Sequence, residues 1–153
     1  MKKLIIASVA MALVIAAAAA EVIYTTNIFR SLEECSRQAV ALAETCVKYK
    51  QSAEREREEF GVESASVKEK SAESEQAAES KIAELDAMWK RNKLCVMIFG
   101  NHAVVKNIDE KVAALAEQAK VKQWEDASVQ ASSLNSYFFG LADDTHPLLG
   151  NLF

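Results

Sequence analysis

Turn-forming residues are scarce, with four glycines and one proline in 153 residues. The chain therefore has few places to reverse direction. Sustained apolar–polar alternation is also missing, while Ala, Glu, Lys and Gln are plentiful, which argues against strands. There is no basic excess. The 18 Lys and Arg face 22 Asp and Glu, net −4, so the basic face of a nucleic-acid binder is absent. No Gly-rich phosphate loop, no CxxC pair and no supported Ser/His/Asp spacing occurs. No cofactor is implied, and an enzyme is the least expected class.

What is present begins with an apolar run. Lys2 and Lys3 precede uncharged residues 4–20, and Val22, Ile23, Tyr24, Ile28 and Phe29 carry the apolar character past Glu21. The favoured reading is an uncleaved anchor over residues 1–24, with the lysines held on the cytoplasmic side and residues 25–153 outside. Seventeen residues of helix span about 26 Å, the short end of what a bilayer needs. The competing reading is a secretory signal cut near Ala20, after the small residues Ala18, Ala19 and Ala20. No Gly or Pro interrupts the helix before those alanines, which favours the anchor. A buried soluble helix leaves the flanking lysines unexplained.

Beyond the run, apolar residues mark four helices. Ile28, Leu32, Cys35, Ala39, Leu42, Cys46, Tyr49 and Ala53 recur at spacings of 3 and 4, a stripe of coiled-coil type over a helix of 28–60. Gly61 suits its left-handed stop. Ser66 and Glu69 have capping-box spacing and predict the start of a second helix. Its strong half carries Ile82, Leu85, Trp89, Val96 and Phe99, with Asn92 filling one slot, and Gly100-Asn101 ends it. Asn107 and Glu110, helped by Asp109, predict the start of a third helix bearing Ile108, Val112, Leu115 and Ala119. A turn near 121–123 leads to a fourth with Trp124, Ala127, Ala131, Leu134, Phe138 and Leu141.

The expected fold is all-α: a membrane helix, then an antiparallel four-helix arrangement of two long and two short helices, in hairpins of coiled-coil or TPR type. The short pair should cover the membrane-proximal half. Residues 50–80, charge-rich and mostly acidic, should form a projecting hairpin tip. The stripe over 28–60 also suits self-association.

Candidate sites are sparse. Three cysteines are an odd number. Cys35 and Cys46 share the first stripe, about 16 Å apart, and suit small core positions. A hairpin centred on 61–65 sets Cys95 opposite Leu32, one turn from Cys35, so a Cys35–Cys95 disulfide is an expectation in an oxidising space. His102, His146 and Asp143 fall near one end and form the sole candidate zinc set, with helix capping as the plainer role. Leu148, Leu149, Leu152 and Phe153 make an apolar tail after Pro147. It serves either as a lid on the bundle or as a contact for membrane or partner.

Five stretches carry a resemblance: Leu85-Asp86-Ala87-Met88-Trp89, Phe99-Gly100-Asn101-His102, Asn107-Ile108-Asp109, Trp124-Glu125-Asp126-Ala127, and the ending from His146-Pro147 to Asn151-Leu152-Phe153. Together they resemble the bacterial, mainly Firmicutes, family called domain of unknown function 4363. The resemblance covers about residues 82–153 and, more loosely, the N-terminal run. Residues 50–80 depart from it, because the family has a shorter, more hydrophobic helix pair there. The resemblance implies one N-terminal membrane helix, a helical exterior domain and an accessory role beside small membrane proteins. No catalytic residue comes with it. The expected function is a non-enzymatic accessory or scaffold that binds another envelope protein. The alternative is a secreted or periplasmic-side helical module for a ligand or metal.

Overall fold

The structure is a computed structural model that describes the backbone of residues 2–99 and 102–144 and the side chains of 8–97 and 102–142. Four helices follow in order: α1 (Lys2–Phe60), α2 (Ala65–Phe99), α3 (His102–Lys120) and α4 (Trp124–Asp144). There are no strands among the described residues. α1 packs on α2 and α4, and α3 packs on the same two, so the helices close an antiparallel ring with α1 and α3 diagonal.

α1 runs 59 residues without a break. The apolar run and the first bundle helix are thus one helix, and the boundary between residues 24 and 25 lies inside it. Val22, Ile23, Tyr24, Thr25 and Thr26 fill the junction, β-branched and aromatic residues that a helix accommodates, and no Gly or Pro interrupts the ladder. Burial on this helix starts at Thr25 and Thr26. The Thr25 hydroxyl donates to the Glu21 and Val22 carbonyls at 3.0 and 3.1 Å, satisfying itself without a partner helix.

The stripe of α1 is broader than one row. Ile28, Leu32, Cys35, Ala39, Cys46 and Ala53 are buried, but so are Phe29, Ser36 and Ala43, while Leu42 and Tyr49 are half-buried. The helix thus buries two adjacent rows along α2 and α4. On α4, likewise, Ala142 is buried and Leu141 half-buried. At the centre, Trp89 of α2 meets Phe138 of α4, ring centroids 6.3 Å apart at 44°. That contact spans the ring's other diagonal and fills its middle.

Register comes from polar ties at the seams. The Asn135 amide donates to the Glu33 carbonyl at 2.9 Å and to the buried Ser36 hydroxyl at 3.2 Å, fixing α4 against α1. Lys50 pairs with Glu125 at 3.5 Å further along that seam. Lys122, in the α3–α4 turn, reaches Glu75 of α2 at 2.5 Å. Between α3 and α4, Lys111 donates to Ser133 at 2.9 Å and lies 5.3 Å from the Tyr137 ring centre. The short pair therefore ends near Lys50 and Glu75, and the α1–α2 hairpin beyond that level stands alone as a two-helix finger.

Two helix starts differ from the sequence expectation. α2 begins at Ala65, and its cap is Ser64, whose hydroxyl accepts from the Val67 amide at 3.3 Å. Glu56 of α1 accepts from the Ser64 amide at 2.8 Å, which is the task of the glutamate in a capping box. The box is closed across the hairpin, so the Ser66/Glu69 spacing is idle. α3 begins at His102, five residues before Asn107. Val105, fully within the core rhythm of Ile108, Val112, Leu115 and Ala119, explains the earlier start. The polar groups that resembled caps serve other partners: Asn107 donates to the Tyr137 hydroxyl at 3.3 Å, and Asp109 accepts from α2.

The turns follow simple chemistry. Gly61 takes φ 73 and donates to the Arg57 carbonyl at 2.9 Å. The α3–α4 turn is a Schellman motif with Lys122 at φ 58. The Gln123 amide reaches the Gln118 carbonyl at 2.9 Å and the Lys122 amide reaches that of Ala119 at 3.0 Å. A Cβ at Gly61 meets nothing within 4 Å, so Gly61→Ala costs backbone strain alone, about 1 kcal/mol. Amide exchange at residues 56–68 should quicken about fivefold, with thermal melting of the bundle unchanged. Equal slowing or quickening across the whole bundle would contradict the independence of the finger.

Candidate interaction surfaces

Residues 8–18 of α1 are exposed on every side, including Val9, Met11, Leu13, Val14 and Ile15. Further on, Ile23 and Tyr24 are exposed as well. Among the described residues one helix, α1, is long and apolar enough to cross a membrane, judged by length and composition. Among the described residues nothing covers that surface. Removing five such side chains from water is worth on the order of 10 kcal/mol. That equals the whole stability of many small domains.

A groove of about 840 Å³ lies between α2 and α3. Ala113 and Ala116 keep one wall low, and Asp86, Lys90, Lys93 and Asp109 charge its rim. Asp109 accepts from the Trp89 indole at 2.6 Å and from Lys93. Partial burial raises the Asp109 carboxyl's pKa, but the bonds from Lys93 and Trp89 outweigh it and hold the group below the usual 3.8. The sequence offered a signal for this tie: a tryptophan on a core stripe still needs a partner for its N–H. The lining sets opposed charges side by side, the carboxylates of Asp86 and Asp109 with the amines of Lys90 and Lys93.

The cysteines do not meet. Cys35 is buried with its thiol 3.9 Å from the Lys81 carbonyl. Cys95, half-buried, lies fourteen residues further along α2, about 21 Å away. All three thiols are free. The expected Cys35–Cys95 disulfide fails because residues meet across the hairpin at lower numbers than a centre at 61–65 implies, already at the tip and further so along it. Glu56 meets Ser64, whereas by Cys35 the opposite residue is Lys81, so two numbers across from one another no longer sum to the value set at the tip. Burial pushes the Cys35 thiol's pKa up, with Glu84 adding to it, and burial does the same at Cys46.

His102 is the exposed first residue of α3. Among the described residues no three His, Cys, Asp or Glu side chains are grouped to hold a metal. The Asp143 side chain and His146 lie outside the described residues, as do Leu148, Leu149, Leu152 and Phe153. The residues behind the family resemblance that can be followed have structural work. Trp89 and Asp109 tie α2 to α3, Asn107 ties α3 to α4, and Trp124 is buried at the start of α4. No protein-family model, curated protein or solved structure matches the chain.

Two measurements check this geometry. In the native unreduced protein a maleimide should label Cys95 first. Cys35 and Cys46 should react only after denaturation, giving three thiols by mass, and a loss of two hydrogens between Cys35 and Cys95 would contradict the register. For Asp109 the folded pKa lies below the unfolded one. Its contribution to stability is therefore full above about pH 4 and is lost as pH falls through the lowered value. The stability gap between wild type and Asp109→Asn should accordingly be constant from pH 5 to 7 and shrink below about pH 4. A gap that widens on acidification would show the sign to be wrong.

Proposed function

We propose that the protein is a non-enzymatic, single-pass accessory protein of a bacterial cell envelope, which holds a helical bundle outside the membrane to bind another envelope protein. One observation carries the reading: an all-round exposed apolar segment continues, with no break in the helix, into the core stripe of the bundle. A helix crossing lipid needs its backbone groups satisfied internally, and α1 meets that need along its length. Residues 4–24 make about 31 Å of helix, close to the hydrocarbon thickness, with Tyr24 placed for the interface. Lys2 and Lys3 favour a cytoplasmic N-terminus and an exterior bundle. The resemblance to the domain of unknown function 4363 family points the same way.

A second reading is favoured by where burial begins. Among the described residues the first buried side chain is Thr25, so cleavage near Ala20 removes none of the buried side chains described. A secreted module using the α2–α3 groove for a ligand or metal would result.

Alkaline carbonate extraction with intact mass separates the two. The anchored form should stay in the pellet at full length, and Leu13→Lys with Val14→Lys should move most of it to the soluble fraction. A soluble product lacking twenty residues would sink the anchor and leave the secreted module.

A further inference from the structure

The free end of the α1–α2 hairpin carries an apolar surface that the fold does not use. Phe60 is 71% exposed and Val62 is 72% exposed, on either side of Gly61. Both are held in place. Arg57 pairs with Glu63 at 2.6 Å, Glu56 accepts from the Ser64 amide at 2.8 Å, and Gly61 closes on the Arg57 carbonyl. The turn is thus tied on both flanks, so the two side chains present a preorganised knob.

The charge around the knob is one-sided. Residues 54–63 hold five glutamates and two arginines, and one of those arginines, Arg57, is already paired with Glu63. Glu58 and Glu59 are exposed and make no ion pair among the described residues. Residues 50–80 carry nine acidic and five basic side chains, net −4, which is the net charge of the whole chain. The remainder balances at thirteen of each sign.

We infer that this tip is a docking knob for a protein whose surface offers an apolar pocket rimmed by lysine or arginine. The inference deepens the accessory-protein reading above and rests on it. Charge complementarity selects the partner: an acidic rim around an apolar pair is met by a basic rim around a pocket. A lipid surface is disfavoured twice. Anionic headgroups repel the glutamates, and the tip stands roughly 50 Å along α1 from Tyr24. A second copy is disfavoured because the rest of the chain has no basic excess to receive the finger.

The test is photo-crosslinking in intact membranes of producing cells, using the full chain with benzoylphenylalanine at Val62 or, as a control, at exposed Val129 of α4. Expected is an adduct at 62 with a single protein other than this chain, mapped to a peptide rich in Lys or Arg. Its yield should fall about tenfold with Glu58→Lys and Glu59→Lys together, or with Phe60→Ala, and should drop between 0.05 and 0.5 M salt. These changes touch exposed side chains, so circular dichroism of the variants should match wild type. No adduct at 62, an adduct with lipid or with a second copy, equal yield at 129, or indifference to charge reversal overturns the inference. Carbonate extraction of the same cells reports on the anchor separately, so loss of the docking result and loss of the anchored reading are told apart.

Discussion

The hydrogen-bond ladder of α1 is the constraint on which the rest depends. Its 59 residues run from Lys2 to Phe60 with the ladder unbroken between the two end turns. Only its side chains change along the way. They are apolar all round at 8–18, striped toward two neighbours from Thr25, and mostly charged near Phe60. Three kinds of surface thus follow one another on one element, and α2 and α4 pack where the stripe asks for them. Had a glycine or proline fallen near residue 20, the apolar segment and the bundle would be two bodies joined by a hinge.

Around that element the core is assembled economically. Alanines bring α1, α2 and α4 close, at Ala39, Ala43, Ala78, Ala127 and Ala131, while Trp89, Trp124 and Phe138 fill the space that short side chains leave. Specificity of register lies with the polar ties at the seams. Asn135 with Ser36 is the clearest: its amide caps a backbone carbonyl and a buried hydroxyl at once, which one residue of slippage would leave unpaired. Trp89 with Asp109 does the same between α2 and α3.

The helices were legible in the sequence wherever a 3 and 4 rhythm marked a single buried row. Ile108, Val112, Leu115 and Ala119 are buried as their spacing says. Positions failed where a helix buries a second row, as with Leu42 and Ala43, because one stripe cannot describe two rows. Caps failed for a different reason: Asn107 and Asp109 look like local helix starters, yet tertiary partners claim them, and Glu56 caps a helix other than its own. The cysteine pairing failed on geometry, since the contacts at the tip are offset from the assumed centre and the offset grows along the hairpin. Phe60 and Val62 were hidden by their setting, because a charge-rich stretch reads as a solvated tip and draws the eye from two apolar residues within it.

The unbroken path of α1 also makes residue count a matter of direction. Each residue of an α-helix adds about 100° of rotation and 1.5 Å of rise. Between the exposed apolar segment and Thr25 nothing absorbs a change in either quantity. One residue more or fewer at that junction would swing the α2–α3 groove more than a quarter turn about the apolar rod, without disturbing a single contact inside the bundle. The azimuth at which this protein faces its neighbours is therefore written as a length, in the spacing between residues 18 and 25.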